Sequence, residues 1–383
     1  MNNKVKRFAQ KFINKLPLKN IIIFESHPDY SDNTKAVFDE MIKRGVNKDY
    51  KLVWVTHYNP ELPYEYKALK NVSSCSISGN KYKYYCLFSK AFISCNYFLN
   101  RKRKEQYYIY LAHGSALKAI KDNRISIPES VYGCDYVVIS ELLGKYEAMF
   151  YNCDVNNINI LTYGYPRNDV LFKSSENDAP IFGDYNYSKI IYWLPTFRQK
   201  KYDRISYSDI SVPFIYNSEI AKKINNAAKK NDILIVLKPH PAQDVSNIKI
   251  DNMSNIVLID NDYLIENNIS NYDLLRRSDA LLSDYSSVVY DYYLCDKPVG
   301  LCWEDYEQYD KNEGIVKEVL PFLEGCKKLY KYEELIDFIN SVGEGRDDLK
   351  EIRNKNKSEV HKYCDINSCE RIVNHILYKL QEL

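Results

Sequence analysis

The 383-residue sequence lacks four features that would place it in a specialised class of protein. No apolar run approaches the roughly 18 residues that a membrane span needs, and no signal-type apolar region precedes the first predicted strand. The ten cysteines include no CxxC pair, which argues against a zinc site or a redox pair. With 53 basic and 51 acidic residues, the net charge of +2 is too small for a surface that tracks nucleic acid.

The length and composition indicate an ordered protein with more than one domain. A chain of 383 residues exceeds the usual size of one compact core, so we expect two domains with a cleft between them. Hydrophobic residues make up 45% of the sequence and charged residues 27%, the balance of an ordered soluble protein. Because membrane spans and paired cysteines are missing, we expect a cytoplasmic protein with reduced, mostly buried thiols.

Positive charge is concentrated in two short stretches. Near the amino terminus, Phe8 and Phe12 belong to an apolar stripe at helical spacing, lysines occupy the remaining arc, and Pro17 ends the pattern. We predict an amphipathic helix within residues 1–19, which either packs on the protein's own core or attaches peripherally to the inner face of a bacterial membrane. The basic run at 101–104 is a second candidate for contact with anionic lipid.

Short apolar runs alternate with helix-length segments in both halves of the chain. Strands of parallel sheets are buried on both faces, so such continuous apolar runs favour parallel sheets. A polar stretch at 174–186, rich in Ser, Asn, Asp and Gly, interrupts the pattern. We predict strands at 21–24, 52–55, 91–94, 108–111, 136–139, 159–162, 190–194, 233–237, 256–259, 280–282 and 299–302, and helices at 217–230 and 286–294.

This alternation predicts an α/β fold made of two Rossmann-type, doubly wound domains that face each other across a cleft. Residues 20–178 are predicted to form the first domain. Residues 179–383, including the C-terminal helices, are predicted to form the second. In such sheets, ligands bind at the carboxyl ends of the strands, so the loops that follow strands are the places to look for chemistry.

His113 follows the predicted strand at 108–111 and opens the sequence HGSALK. Gly114 and Ser115 allow the backbone to turn sharply under a ligand, and Lys118 adds a cation to the same loop. We interpret Gly114, Ser115 and Lys118 as acceptor-binding or cleft residues. The alternative is that His113 is an ordinary loop histidine.

His240 lies between two prolines directly after the strand at 233–237. The prolines hold the imidazole stiffly at the carboxyl end of that strand, beside Lys238. A rigid imidazole next to a lysine is suited to donating hydrogen bonds to phosphate oxygens. The alternative is a purely structural histidine.

The segment at 281–291 combines a strand, a polar turn and the start of a helix. The helix amides, together with the hydroxyls of Ser286 and Ser287, would bind an anion without any glycine-rich loop. A simple helix cap explains one serine but does not require Asp284 and Asp291. We therefore predict that these two acids accept hydrogen bonds from a ribose or a base, with Ser283 in the same donor-binding turn.

Two arginines follow other predicted strands. Arg198 comes after the first strand of the second domain, and we favour a role for it in the cleft. Arg167 lies in the turn at 164–169, where two interpretations stay open. It either fixes the hinge between the domains by pairing with Asp169 or contacts a phosphate.

These segments together resemble one known family. The ordered set comprises SDN at 31–33, HG at 113–114, GYPRND at 164–169, PTFR at 195–198, HP at 240–241 and SDYSS at 283–287. It resembles the CDP-glycerol glycerophosphotransferase family of teichoic acid and capsule synthesis. Each motif alone is weak evidence for the family. Six motifs in the same order make the match specific, and they lie between about residues 20 and 310. Where the family usually reads HGTPLK, this chain reads HGSALK.

The resemblance implies a fold and a set of roles. The family has a GT-B-like fold, in which the first domain binds the acceptor and the second binds the nucleotide. By resemblance, His113 is the general base, and His240, Ser286 and Ser287 hold the pyrophosphate with help from Arg198. No cluster of metal ligands stands out, so helix amides and cations would neutralise the phosphates, and a loosely bound Mg²⁺ arriving with the donor stays open.

We therefore expect a transferase that moves glycerol phosphate, or a related phosphopolyol, from CDP-glycerol to a hydroxyl of a lipid-linked or polymeric cell-surface glycan and releases CMP. Two alternatives remain at this stage. A GT-B glycosyltransferase that uses a nucleotide sugar for capsule or wall polysaccharide would have a similar phosphate site. A non-catalytic glycan-binding assembly subunit is the second, although such a module needs neither His113 nor His240.

Overall fold

A computed structural model describes residues 16–58, 60–119, 126–150, 153–174, 180–198, 211–241 and 252–383, with the isolated positions 243, 245, 248 and 250. The chain divides into two compact units. The first contains residues 1–115, 123–169 and 367–383, and the second contains residues 116–122 and 170–366.

The described part of the first unit is built on one parallel sheet. Its seven strands lie in the order β3-β2-β1-β4-β5-β6-β7. Trp54, Phe92 and Ile109 are fully buried, as expected for strands covered by helices on both faces. The strands are β1 (Lys19–Glu25), β2 (Lys51–Thr56), β3 (Val72–Ser76), β4 (Ser89–Ser94), β5 (Tyr107–Tyr110), β6 (Cys134–Val138) and β7 (Ile158–Thr162).

Helices connect most of these strands, as is usual for parallel pairing, whereas β4 and β5 are joined by a segment at 95–106 that contains no helix. The α-helices of this unit are α1 (Asp32–Lys43), α2 (Tyr64–Lys67), α3 (Asn80–Phe88), α4 (Glu141–Phe150) and, after the second unit, α12 (Ser368–Gln381). Short 3₁₀ helices occupy Val46–Lys48, Glu129–Val131 and Val155–Asn157, and another, Pro166–Phe172, begins in the first unit and ends in the second.

The second unit repeats the architecture with a six-stranded parallel sheet in the order β10-β9-β8-β11-β12-β13. Its strands are β8 (Lys189–Trp193), β9 (Ile233–Leu237), β10 (Ile256–Leu258), β11 (Ala280–Ser283), β12 (Val299–Cys302) and β13 (Lys327–Leu329). Its helices are α5 (Ser218–Lys230), α6 (Asn261–Glu266), α7 (Asn271–Arg277), α8 (Val288–Tyr293), α9 (Tyr306–Asn312), α10 (Tyr332–Gly343) and α11 (Lys350–Val360), with a 3₁₀ helix at Lys317–Leu323.

Local sequence explains the packing of this second sheet. Asn217 caps α5 by accepting from the amide of Ile220, and the apolar face of that helix covers the sheet. Gly300 lies in β12, where a Cβ atom would be 2.7 Å from Leu282 and 3.1 Å from Leu329. Glycine is therefore required for the close approach of neighbouring side chains.

The α/β class and the two parallel sheets are confirmed, but the division of the chain differs from the predicted one. The prediction assigned all of residues 179–383 to the second domain, whereas α12 belongs to the first unit. The thiol of Cys369 lies 3.2 Å from the carbonyl oxygen of Ala36, and Arg44 donates to Asn374 at 2.6 Å. These contacts join α12 to α1, so the chain returns to the first unit before it ends.

The structure describes the basic stretch at 101–104 but not most of the stretch at 1–19. Most of the predicted amphipathic helix lies outside the described residues, because the description begins at Leu16. In the second stretch, the Arg101 guanidinium donates to the carbonyls of Ser130 and Tyr132, at 2.8 and 2.7 Å. Arg103 is buried and donates to the carbonyl of Leu16 at 2.8 Å. Two of the four cations at 101–104 thus stabilise the fold.

Membrane spans can also be assessed within the described residues. None of the helices there combines the length and the apolar character needed to cross a bilayer.

Candidate functional site

The predicted residues lie at the carboxyl edges of both sheets. In the first unit, His113 follows β5 and Arg167 follows β7. In the second unit, Arg198 follows β8, Lys238 follows β9, and the serines at 286–287 follow β11. Since β9, β8 and β11 are neighbours, their three loops meet at one edge, where doubly wound folds bind ligands.

Arg167 is the centre of a polar cluster in the first unit. Its Nη1 atom donates to Asp32 Oδ1 at 2.6 Å and to the carbonyl oxygen of His113 at 2.6 Å. Its backbone amide donates to Asn33 Oδ1 at 3.1 Å. The arginine is mostly buried and thereby fixes the backbone of the histidine loop.

Asn33 completes the support of that loop. Its side-chain amide donates to the carbonyls of Leu111 at 3.1 Å and Ala112 at 2.8 Å, at the end of β5. Ala112 adopts a left-handed backbone with φ of 50°, a conformation that costs energy outside glycine. The result is a sharp turn that presents His113 at the surface, where its side chain is exposed.

Asp169 has a different partner from the one expected. One of the two interpretations of Arg167 paired it with Asp169, but Arg167 binds Asp32. The Asp169 carboxylate instead accepts from the amides of Ser368 at 3.0 Å and Cys369 at 2.8 Å, the first residues of α12. Burial raises the pKa of Asp169 to about 6, although these amide hydrogen bonds lower it. Asp169 thus caps α12, where exposed amides and the helix dipole favour an anion.

The residues that follow His113 in its loop belong to two different units. Ser115 shares a hydrogen bond of 3.1 Å with the hydroxyl of Tyr165, in the first unit, and Gly114 is half-buried beside it. Lys118 belongs to the second unit, where it pairs with Ile315 in an isolated antiparallel bridge. Burial lowers the pKa of Lys118.

Arg198 forms a buried ion-pair network in the second unit. Its Nη1 atom lies 2.6 Å from Asp284 Oδ2, and its Nε atom lies 2.7 Å from Asp305 Oδ2. Its backbone amide donates to Gln243 at 2.9 Å. Burial alone would lower the pKa of Arg198, but the two carboxylates raise it above its usual range. The guanidinium therefore stays charged and joins the loops after β8, β11 and β12.

Four residues predicted to bind the donor lie in the interior, and Ser283 is one of them. Arg198 and Asp284 are fully buried, and Asp284 also accepts from the amide of Thr196 at 3.0 Å through both oxygens. Asp291 is buried within α8 and accepts from the hydroxyl of Tyr272. Because none presents a side chain at the surface, we revise their role from direct contact to positioning of the loops.

Lys238 and His240 remain candidates for direct contact. His240 is exposed at the end of β9, with its ring centroid 6.0 Å from that of Phe197. Lys238 is buried and makes no ion pair with a described residue. Burial lowers the pKa of Lys238 to about 8, although Asp260 raises it. A mostly buried lysine without an ion-pair partner favours a bound anion.

The serine turn is partly structural. Ser283 donates to the carbonyl of Leu194 at 3.0 Å, so it ties β11 to the loop after β8. Ser286 accepts a long hydrogen bond of 3.5 Å from the amide of Val288. Ser287 is the N-cap residue of the six-residue helix α8, yet its hydroxyl makes no capping hydrogen bond. Ser286 and Ser287 are half-buried, so both keep some surface for a ligand.

Sequence reasoning did not select Asp32 or Asp305 as site residues, although each binds a selected arginine. Asp305 follows β12 at the same edge as the loops after β8, β9 and β11, a position that could have revealed it. Asp32 belongs to the SDN motif at 31–33, but its partner, Arg167, lies 135 residues away. No group of three or more His, Cys, Asp or Glu side chains able to hold a metal occurs among the described residues.

Comparison with known protein families shows to which family the chain belongs. Residues 8–378 match the family described as CDP-glycerol:poly(glycerophosphate) glycerophosphotransferase. The chain belongs to this family. The predicted resemblance is thereby confirmed over nearly the whole sequence.

Two relatives of this family member are named as enzymes for different phosphopolyols. A teichoic acid glycerol-phosphate primase of Bacillus spizizenii is 28% identical over 196 residues, 48% of this chain and 45% of the primase. The teichoic acid ribitol-phosphate polymerase TarL of Staphylococcus aureus is 24% identical over 388 residues, 93% of this chain and 62% of the polymerase. The chain therefore matches less than two-thirds of the length of either relative.

A solved structure shares the fold. The wall teichoic acid polymerase TagF aligns with a TM-score of 0.69 and 20% sequence identity, covering 99% of this chain and 95% of that chain. Together with the two parallel sheets, this likeness confirms the predicted GT-B-like fold of the glycerophosphotransferase family member.

Proposed function

We propose that this chain transfers glycerol phosphate, or a related phosphopolyol such as ribitol phosphate, from a CDP-activated donor to a hydroxyl of a lipid-linked or polymeric cell-surface glycan. The observation that carries the proposal is the family match over residues 8–378. The relatives named as glycerol-phosphate and ribitol-phosphate enzymes support a phosphopolyol and leave the polyol to experiment.

The reaction assigns a proton acceptor to the first unit. His113 removes the proton of an acceptor hydroxyl, whose oxygen then forms a bond to the phosphorus that carries glycerol. The bond from this phosphorus to the bridging oxygen breaks, and CMP leaves with the electron pair. The exposure of His113, on a loop held by Arg167 and Asn33, supports this role.

The second unit supplies the donor site in this proposal. Lys238 and His240 neutralise the pyrophosphate, and the hydroxyls of Ser286 and Ser287 bind its oxygens. Arg198, paired with its two aspartates, keeps the surrounding loops in place. Such positioning and charge stabilisation account for most of the catalysis in phosphoryl transfer. Mg²⁺ arriving with the donor would add neutralising charge, and its requirement is measured by adding a chelator.

A panel of activated donors tests this function. The protein is incubated with CDP-glycerol, CDP-ribitol and nucleotide sugars, each with a lipid-linked glycan acceptor, and the products are analysed by mass spectrometry. We expect a mass increase of one phosphopolyol unit from a CDP-polyol. Transfer of a sugar from a nucleotide sugar would instead establish a GT-B glycosyltransferase, and binding without transfer would establish an assembly subunit.

We also propose a location at the cytoplasmic face of a bacterial membrane. The acceptor of such a transferase is expected to be lipid-linked, and the sequence at 1–19 carries an apolar stripe among lysines. Attachment would be peripheral and sensitive to salt, because each lysine near an anionic surface contributes about 1 kcal/mol.

A further inference from the structure

A chain of three polar side chains runs from the interior of the first unit to the loop that carries His113. Glu147, on α4, and Tyr165, in the turn after β7, are almost completely buried, at 2% and 1% exposure. The Tyr165 hydroxyl donates to the Glu147 carboxylate, with Oε1 at 3.2 Å and Oε2 at 3.3 Å. It also shares a hydrogen bond of 3.1 Å with the hydroxyl of Ser115. The chain therefore ends two residues after His113.

The hydrogen bonds of this chain run in one direction. A hydroxyl has a single hydrogen atom to donate. Because Tyr165 donates its hydrogen to Glu147, it accepts from Ser115, and Ser115 gives its own hydrogen to Tyr165. Ser115 Oγ makes no other hydrogen bond with the residues that the structure describes. The lone pairs that remain on this oxygen can therefore only accept a hydrogen bond.

The turn that contains Tyr165 holds the histidine loop at a second point. The Arg167 guanidinium lies over the Tyr165 ring, with Cζ 5.1 Å from the ring centroid. Its Nη1 atom donates to the carbonyl oxygen of His113 at 2.6 Å. Arg167 and Tyr165 thus hold the two ends of the segment 113–115, one by a carbonyl and the other by a hydroxyl. A single turn sets the relative placement of His113 and Ser115.

Ser115 Oγ lies within reach of the His113 imidazole. Consecutive Cα atoms are about 3.8 Å apart, so the Cα atoms of His113 and Ser115 are at most about 7 Å apart. The two side chains together span this distance. A neutral imidazole carries its hydrogen on one of two nitrogens, and the hydrogen bond that the ring makes decides which one. An oxygen that only accepts would select one tautomer of His113.

We propose that Glu147 and Tyr165 are positioning residues for His113, which act by keeping Ser115 Oγ an acceptor for one N–H group of the imidazole. This hydrogen bond leaves the other ring nitrogen unprotonated, as a general base requires. After that nitrogen has taken the proton of the acceptor hydroxyl, the imidazolium still donates to Ser115. No proton moves along the chain to Glu147. This inference rests on the proposed function, in which His113 is the base.

A buried carboxylate has a comparable effect in Ser-His-Asp triads, where it fixes the tautomer and the orientation of the histidine. In this chain two hydroxyls stand between the Glu147 carboxylate and the imidazole. The tautomer preference should therefore be that of one ordinary hydrogen bond, about two- to tenfold.

Nitrogen-15 NMR of the full chain tests the proposal without any substrate. Spectra recorded at about pH 8.5, well above the usual pKa of histidine, report the tautomer ratio, because the two nitrogens of a neutral ring have different shifts. The chain has six histidines, so the signals of His113 are assigned by their loss in His113→Ala. We expect one tautomer to dominate in the unsubstituted chain. Tyr165→Phe and Ser115→Ala should each lower its ratio to the other tautomer about two- to tenfold.

Glu147→Gln tests the direction of the chain. A glutamine side chain both donates and accepts, so the hydroxyls of Tyr165 and Ser115 are no longer held in one direction. The tautomer ratio should move toward that of Tyr165→Phe. Ser115→Thr keeps the hydroxyl and should keep the ratio. With a glycan acceptor, the kcat of each variant should follow the population of the dominant tautomer, while the acceptor KM changes little.

Tyr108→Phe is the matched control for the loss of a buried hydroxyl. Tyr108, in β5, is 1% exposed, and its hydroxyl accepts from the Leu99 amide at 2.7 Å and shares a hydrogen bond of 2.9 Å with Ser94. Its replacement should lower the thermal midpoint as Tyr165→Phe does and leave the tautomer ratio of His113 unchanged. If Tyr165→Phe does not fold, Ser115→Ala decides, because this position is only half-buried.

Two results would overturn the positioning role: an equal mixture of His113 tautomers in the unsubstituted chain, or a ratio that stays the same in Ser115→Ala. The proposed function fails separately. If the tautomer ratio responds as described but no CDP-polyol is consumed, the hydrogen-bond chain stands and the transferase proposal is wrong.

Discussion

Among single residues, His113 matters most for the proposed reaction. Replacement of His113 by Ala should lower kcat by about 100- to 10,000-fold, the usual contribution of a general base. Donor affinity should hardly change, because the proposed role of His113 is at the acceptor hydroxyl and the residue belongs to the first unit. Stopped assays at saturating acceptor measure kcat, and calorimetry with CDP-glycerol measures affinity.

The matched variant for His113 is His240→Ala, which should weaken CDP-glycerol binding as well as turnover. Both side chains are exposed, so neither replacement should disturb the core. Near-normal kcat in His113→Ala would remove the histidine from the mechanism.

We expect Lys238 to make the proposed donor site sensitive to pH. Burial lowers its pKa to about 8, so the ammonium loses its charge as the pH rises through 8. A bound anionic donor stabilises the charged form and raises the pKa. Donor affinity should therefore be constant below pH 7 and fall by up to about tenfold between pH 8 and 9. Calorimetric titration with CDP-glycerol at several pH values measures this slope.

Lys238→Arg provides the comparison, because arginine remains charged throughout this range. The variant should lose most of the dependence between pH 8 and 9. Lys230→Arg, at an exposed position on α5, should retain it. An unchanged slope in Lys238→Arg would assign the titration to another group.

At the scale of secondary-structure elements, the capping of α12 by Asp169 links the motif at 164–169 to the end of the chain. Gly164 contributes to this junction, since its φ is 79° and a Cβ atom would lie 2.7 Å from Ser368 Oγ. Asp169→Ala should cost about 0.5–2 kcal/mol, the usual range for a lost cap. Hydrogen exchange should accelerate first in α12, whereas equal acceleration throughout the first unit would contradict a local cap.

The strands also show which elements a sequence can reveal. All eleven predicted strands coincide with strands of the structure, because their apolar runs reflect burial on both faces. β3 and β13 escaped prediction. Their sequences, VSSCS and KKL, are short and polar, and each strand lies at the edge of its sheet. Edge strands are partly exposed and need no apolar run.

The candidate site was predictable in part for a related reason. His113, Lys238 and His240 follow apolar strands, so their positions could be read from the chain. The pairing of Arg198 with Asp284 and Asp305 could not, because the partners lie 86 and 107 residues away. The charged side chains of Arg198 and Asp284 suggested contact with a ligand. In the structure they are buried, so their network stabilises the fold.

At the scale of the whole molecule, the proposal requires attachment to a membrane that carries the acceptor. Deletion of residues 1–15 should abolish sedimentation with anionic vesicles and leave transfer to a short, water-soluble acceptor unchanged. The deletion keeps Leu16, whose carbonyl binds Arg103. Binding of the full chain should also weaken as salt is raised. If the truncated chain still sediments, Lys102 and Lys104, both exposed, are the next residues to test.

The central claim is that a phosphopolyol, and not a sugar, moves to a glycan hydroxyl. The most direct measurement is the stoichiometry of a single reaction containing CDP-glycerol labelled in both the cytidine and the glycerol. One CMP should be released for each glycerol phosphate found in the glycan product, and both yields should fall together in His113→Ala. Release of CMP without labelled glycan, or CMP release that does not depend on the acceptor, would contradict it.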